Sequence, residues 1–356
     1  MKYLSLNAGA TALAQLNKNG LSAEMFSIML GASGGPKWFT LYGLDRYLFS
    51  SFFDQRKTPL HIIGSSAGAF RFAALAQANP VSAIERLATH YANIEYSAKP
   101  SIDEISHKGE LMLDELLGDS GVNEILNNPY IHPHFVTAKT SGLLRHEFKP
   151  AQLLGLSKSY LLNLVKRRYL AKQYQRVNFT TAPCALSIED QANITTSEVG
   201  LTRDNLKDAL LASGSIPMLL KGIKDIAHAP QGTYRDGGII DYHFDLSIKL
   251  NAKLDGLILY PHFSSQPRAG WFDKNLSRTP LASSYDNVLM LTPTQAFIDT
   301  LPYQKIPDRK DFTELSPPQR IAYWQKVLER SELLAAEFAS IVEKQSLSEI
   351  KPLTLR

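Results

Sequence analysis

The stretch His61-Ile62-Ile63-Gly64-Ser65-Ser66-Ala67-Gly68-Ala69-Phe70 decides how the chain is read. The apolar run Leu60 to Ile63 goes straight into Gly64-Ser65-Ser66-Ala67-Gly68, and small or helix-forming residues follow at Ala69, Ala73, Ala74, Leu75 and Ala76. Strand, sharp turn and helix in that order are the setting in which a G-x-S-x-G pentapeptide lifts its central serine onto the tip of a strained turn. Gly64 and Gly68 would remove side chains where strand and helix crowd together. The helix that follows would aim its first amides at Ser66 and favour negative charge there. An ordinary strand-to-helix turn with a capping serine is spelled the same way, so the rest of the chain has to support the reading.

One βα unit earlier, a buried strand is expected over 25–30. It runs directly into Gly31-Ala32-Ser33-Gly34-Gly35-Pro36-Lys37-Trp38. Trp38, Leu41, Leu44, Tyr47 and Leu48 are then spaced for one helix face. Consecutive glycines let neighbouring amides converge on one anion. The loop reads as a flexible turn, a phosphate cradle or an oxyanion hole, and it fits neither common phosphate-loop pattern. Only the oxyanion reading explains its pairing with a serine elbow.

Further along, breaks at Pro80, Pro100, Gly109 and Gly121 divide a helix-like region in which Leu111, Leu113, Leu116 and Leu117 are expected to face a core. His132-Pro133-His134 reads as a loop entering a strand over 135–139, because no third ligand stands at metal spacing. Lys158–Arg176 mixes six basic residues with apolar ones around most of a helical circumference, not the clean two-faced pattern of an interfacial helix, so a packed surface helix with snorkelling Lys and Arg is expected ahead of a membrane anchor. Val177–Thr181 is strand-like, and Ile188–Val199 reads as a polar hairpin or edge. A short helix over 205–211 leads into Ala212-Ser213-Gly214-Ser215-Ile216-Pro217, and Asp236-Gly237-Gly238 places an acid on a tight turn. Strands are expected over 256–260 and 288–291. The long loop between them carries Trp271 and Phe272, and loops of that length are commonly functional or mobile. Ser316-Pro317-Pro318 starts a long amphipathic helix.

Composition bounds the answer. The chain has 356 residues, a net charge of +4 and 44% hydrophobic residues, which is ordinary for a globular protein with a sizeable core. The positive charge is too diffuse for nucleic-acid binding, although it suits an anionic membrane surface. Cys184 is the only cysteine, so no intrachain disulfide forms. No signal peptide or membrane span is expected, which points to the cytoplasm and leaves open export without a cleaved leader. The sequence carries no signal of oligomeric state.

Four separated motifs in order resemble the patatin-like phospholipase family. They are the elbow at Ser66, the Gly-rich loop Ser33–Trp38, the stretch Ala212–Pro217 and the turn Asp236-Gly237-Gly238, together spanning about 25–240. Ser33 and Trp38 depart from the family's oxyanion pattern, and residues after about 262 hold no family motif. The resemblance implies a three-layer α/β/α fold around a mostly parallel sheet. A patatin-like domain over 1–300 would carry a helical segment, 301–356, packed on it. It implies a lipid acyl hydrolase with a Ser66–Asp236 dyad and no cofactor or metal. Amides of Gly34 and Gly35 would form the oxyanion hole with Lys37 beside them, Gly64, Ala67 and Gly68 would shape the elbow, and Gly237 and Gly238 the acid turn. Two alternatives stand beside it. One is an α/β-hydrolase triad using His243 or His262, a permitted chain order. The other is a non-catalytic lipid- or partner-binding protein on the same scaffold.

Overall fold

A computed structural model describes residues 2–251 and 256–355. Five parallel strands form its centre, in the order β12 (Val288–Pro293), β11 (Leu257–Pro261), β2 (Phe26–Gly31), β3 (Leu60–Ser65) and β4 (Ile131–Thr140). Their apolar residues alternate by face. Met29, Ile62, Leu259 and Leu289 join the larger core, while Leu30, Ile63, Ile258 and Met290 join the smaller one. Strands buried on both faces need this near-continuous apolar spelling, which is why they were legible.

The margins are mixed. On one side β1 (Leu4–Ala8) lies antiparallel to β12, and β13 (Ile350–Pro352) lies parallel to β1. On the other, β5 (Tyr174–Thr180) is antiparallel to β4, and β7 (Thr196–Gly200) is parallel to β5. A short ladder of β8 (Ile223–Lys224) and β9 (Thr233–Asp236) also pairs along β4. Helices flank the sheet in a three-layer α/β/α arrangement. They include α1 (Ala10–Asn19), α2 (Tyr42–Tyr47), α3 (Ala67–Leu75), α4 (Pro80–Ala92), α5 (Ile102–Leu117), α6 (Gly121–Leu126), α7 (Lys149–Val165) and α8 (Leu206–Gly214). The short α9 (Gln295–Ile298) and α10 (Asp311–Glu314) precede α11 (Pro317–Lys344), which packs on α2 and buries Trp324, Val327, Leu334 and Phe338. No helix among the described residues is long and apolar enough to cross a membrane.

Several local expectations are corrected. His132-Pro133-His134 lies inside β4, where His134 Nε2 meets His61 Nδ1 at 3.0 Å. Burial lowers the pKa of His134 well below the usual imidazole value, and the described residues hold no group suited to a metal ion. The helix expected over 158–176 ends at Val165, and Arg176 is a fully buried β5 residue held bidentately by Asp241 at 2.5 and 2.8 Å. A paired guanidinium tolerates burial that a free one would not. Of the two readings of 188–199, the hairpin is not formed, since β6 (Leu186–Glu189) pairs with β10 (Ser247–Leu250) in a separate sheet. The edge reading holds, since β7 is the outermost strand of the main sheet. Gly109 does not break α5, and Leu111 is exposed on it. The helix after the Gly-rich loop is a tight 3₁₀ segment, Gly35–Leu41, followed by α2 and a wide turn over Leu48–Phe52.

Candidate active site

The elbow sits where β3 ends and α3 begins, at the C-terminal edge of the parallel strands, where open α/β sheets place their ligands. Ser66 has φ 53° and ψ −124°, a strained conformation for a residue with a Cβ. It is held there by crowding. A Cβ on Gly64 would meet the Gly68 carbonyl at 2.5 Å, and one on Gly68 would lie 1.9 Å from the Gly31 oxygen. The Ser66 amide donates to Ser213 Oγ at 2.9 Å, which itself donates to the Val136 carbonyl at 2.7 Å. Ser213 therefore ties the elbow to β4.

Asp236 ends β9, and its turn is equally confined. A Cβ on Gly237 would lie 2.2 Å from the Val136 oxygen, and one on Gly238 would lie 2.4 Å from Ser33 Oγ. Asp236 Oδ1 accepts from the Gly238 amide at 2.7 Å, leaving Oδ2 to accept from the Ser66 hydroxyl at 2.7 Å. Burial pushes the Asp236 carboxyl above its ordinary value, partly offset by the Ser66 and Gly238 hydrogen bonds and by nearby Arg309 and Lys274. A serine hydroxyl bonded to a buried carboxylate is the geometry of a nucleophile with its base.

The Gly-rich loop closes the third side. Gly34 and Gly35 line the cavity beside Ser66. Gly35 has φ 57°, which favours glycine. At Gly34 a Cβ would press 2.7 Å from the Phe263 ring. Ser33 is bonded into the elbow, its Oγ 2.6 Å from Ser65 Oγ, which in turn donates to the Asp241 carbonyl at 2.7 Å. Trp38 is a core residue packed edge-on to Tyr91. Both departures from the family pattern thus have structural work, one in joining two loops and one in filling the core.

Neither His243 nor His262 bonds to Ser66 or Asp236. His243 Nδ1 accepts from the Arg268 amide at 2.8 Å, and His262 Nδ1 accepts from the Ser264 amide at 2.9 Å. Burial lowers both pKa values, that of His262 to about 3, so each is a neutral core residue at physiological pH.

The cavity, about 320 Å³, adds a feature that sequence reading missed. Lys37, Lys274 and Arg309 share its wall with Ser66 and Asp236. Lys37 lies 3.7 Å from Asp308, whereas Lys274 and Arg309 form no ion pair among the described residues. Lys274 instead lies 3.9 Å from the centroid of the Tyr242 ring, and burial with the Arg309 charge brings its pKa down to about 7. Trp271 lines the cavity, while its neighbour Phe272 is buried in the fold. The long loop carrying Trp271 was the one available signal for Lys274. Arg309 follows every recognisable motif, and no spacing pointed to it.

The model of the family described as patatin-like phospholipase matches residues 31–243. No curated protein matches the chain. Among solved structures, the chain is similar to human GIVD cytosolic phospholipase A2 at 12% identity and a TM-score of 0.40, covering 96% of this chain and 63% of that one. It is also similar to VipD from Legionella pneumophila at 12% identity and a TM-score of 0.30, covering 73% of this chain and 53% of that one. The chain therefore spans less than two thirds of each of these proteins, and the family assignment rests on the sequence model.

Proposed function

The chain belongs to the patatin-like phospholipase family, and from that premise we propose that it is a lipid acyl hydrolase working through Ser66 and Asp236. The observation that carries this reading is the 2.7 Å bond from the Ser66 hydroxyl to Asp236 Oδ2 at the wall of a cavity. Ser66 Oγ attacks the ester carbonyl carbon while Asp236 takes the hydroxyl proton. The tetrahedral oxyanion is held by the Gly34 and Gly35 amides, preorganised donors each worth about 3 kcal/mol in comparable sites. Collapse expels the alcohol, which leaves with the proton from Asp236, and an acyl-serine remains. Water then attacks the acyl carbon, Asp236 takes its proton, and the free acid departs as Ser66 regains its hydrogen.

The Lys37, Lys274 and Arg309 wall favours an acyl ester with an anionic group near the scissile bond, such as a phospholipid or lysophospholipid headgroup. A fluorophosphonate probe tests the central claim. Covalent labelling at Ser66, abolished by Ser66→Ala and accompanied by fatty-acid release from phospholipid, is expected. An unlabelled, folded protein would make this chain a binding protein on a hydrolase scaffold.

A further inference from the structure

Helix α7 is built inside out. Its fully buried residues are Gln152, Gly155, Ser159 and Asn163, all polar or small, with Leu156 half-buried beside them. Its solvent face holds Leu154, Leu161 and Val165, exposed by 63%, 61% and 67%, with Leu153, Tyr160 and Leu164 also exposed. Eight of the thirteen large apolar side chains exposed among the described residues lie between 143 and 165. Scattered apolar residues need no explanation, but a continuous patch marks an interaction surface.

The charges around that face identify what it meets. At about 3.6 residues per turn, Tyr160, Leu153, Leu164, Leu161, Leu154 and Val165 share one side of the helix, with Pro150 and Ser157 among them and Lys149 and Lys158 at its two edges. Between 143 and 172 the chain holds seven Lys and Arg against one acid, Glu147. That acid is already engaged by Arg235 at 2.8 Å. Lys149, Lys158, Lys166, Arg168 and Lys172 are all exposed. An apolar arc edged by cations is the pattern of a helix lying in an anionic lipid interface, its leucines in the acyl boundary and its lysines among the phosphates. Two copies meeting through this face would instead oppose like charges.

The buried face of α7 shows how docking reaches the cavity. Gln152 Oε1 accepts from the Met218 amide at 3.0 Å, next to Ile216 and Pro217 in the cavity wall. Asn163 Nδ2 donates to Asp273 Oδ1 at 2.9 Å, between Trp271 and Lys274 in the same wall. The polar inner face is therefore bonded to the two segments that supply Ile216, Pro217, Trp271 and Lys274 to the cavity wall, and the apolar outer face is left for a partner.

We propose that α7 docks the protein on an anionic phospholipid surface, with the cavity held beside it. The purpose of that docking rests on the proposed hydrolysis, but its existence does not. The test is co-sedimentation with phosphatidylcholine vesicles with and without phosphatidylglycerol. The wild-type protein is expected to bind the anionic vesicles and to release them as salt rises. Leu154→Glu with Leu161→Glu should weaken that binding by roughly a hundredfold. An unchanged circular dichroism spectrum is the folding control, and turnover of a short soluble ester should stay as in the wild type. Lys149→Gln with Lys158→Gln should erase the preference for anionic vesicles without touching the apolar arc. Wild-type protein that fails to sediment overturns the proposal, as does equal binding by the leucine variant. A wild-type dimer converted to monomer by the leucine variant overturns it in favour of a second copy. Vesicle binding that follows α7 without any ester turnover would sink the hydrolase reading and leave the docking surface standing.

Discussion

Ser66 and Asp236 stand on backbone that admits little else, whereas Lys274 and Arg309, on the same cavity wall, hang from loops far apart in the chain. At the elbow and the acid turn, a single added Cβ on Gly64, Gly68, Gly237 or Gly238 would fall 2.5 Å or less from a neighbouring atom. The cationic wall has no comparable constraint, since Lys274 rests on Tyr242 and Arg309 brackets Gly35 with its methylenes. The first half of the site is thus specified by where side chains cannot be. The second half is specified by long side chains reaching in, a design that can change without disturbing the fold. Chemistry common to a family is suited to the rigid half, and substrate preference to the reaching half.

The largest effect expected falls on the rigid half. Ser66→Ala should lower turnover by about four orders of magnitude or more, and Asp236→Asn by about a hundredfold to ten-thousandfold, with folding checked by circular dichroism. Ester hydrolysis surviving either change would detach the chemistry from this pair. Gly35→Val comes next. Its φ of 57° suits no β-branched residue, and displaced donors in an oxyanion hole typically cost about a hundredfold to a thousandfold in kcat. Wild-type turnover in that variant would remove the loop from the mechanism.

The reaching half predicts a selective loss. Arg309→Met or Lys274→Met should lower kcat/KM for a lysophospholipid by roughly tenfold to a hundredfold, the scale of one charge-assisted hydrogen bond. A neutral short-chain ester should be hydrolysed as before. Lys274 also sets a pH dependence. With its pKa brought down to about 7, it is a cation below that pH and neutral above it. KM for an anionic ester should therefore rise as pH climbs through neutrality, and Lys274→Arg should abolish that rise. A neutral ester showing the same rise would assign it to another group. The smallest effect is expected at the buried histidines. His243→Gln keeps an acceptor for the Arg268 amide and should leave turnover near wild type, whereas a loss matching Ser66→Ala in folded protein would restore a histidine base.

Much of the fold was legible because buried parallel strands are spelled as apolar runs ending in glycine-rich turns. Phe26–Gly31 and Leu60–Ser65 follow that spelling in full, and Val288–Pro293 shares its apolar run. The misreadings share one cause, which is side chains whose partners lie far along the chain. Arg176 looked like a surface cation until Asp241 was beside it, and His132 looked like a loop residue until β3 and β5 flanked its strand. The segment 158–176, of which only 158–165 is in α7, looked like a packed surface helix with snorkelling Lys and Arg. Only the burial of Gln152, Ser159 and Asn163 revealed which way its leucines face.

The sequence by itself determined the order strand, glycine loop, strand, elbow and acid turn, because each is governed by backbone conformation and by residues close in the chain. The tertiary structure decided that the Ser66 hydroxyl meets Asp236, 170 residues away, and that Lys274 and Arg309 complete the cavity wall. It also decided that α7 turns its apolar side outward. Those outcomes depend on which surfaces are brought together and which are left over, and no local pattern of residues encodes that.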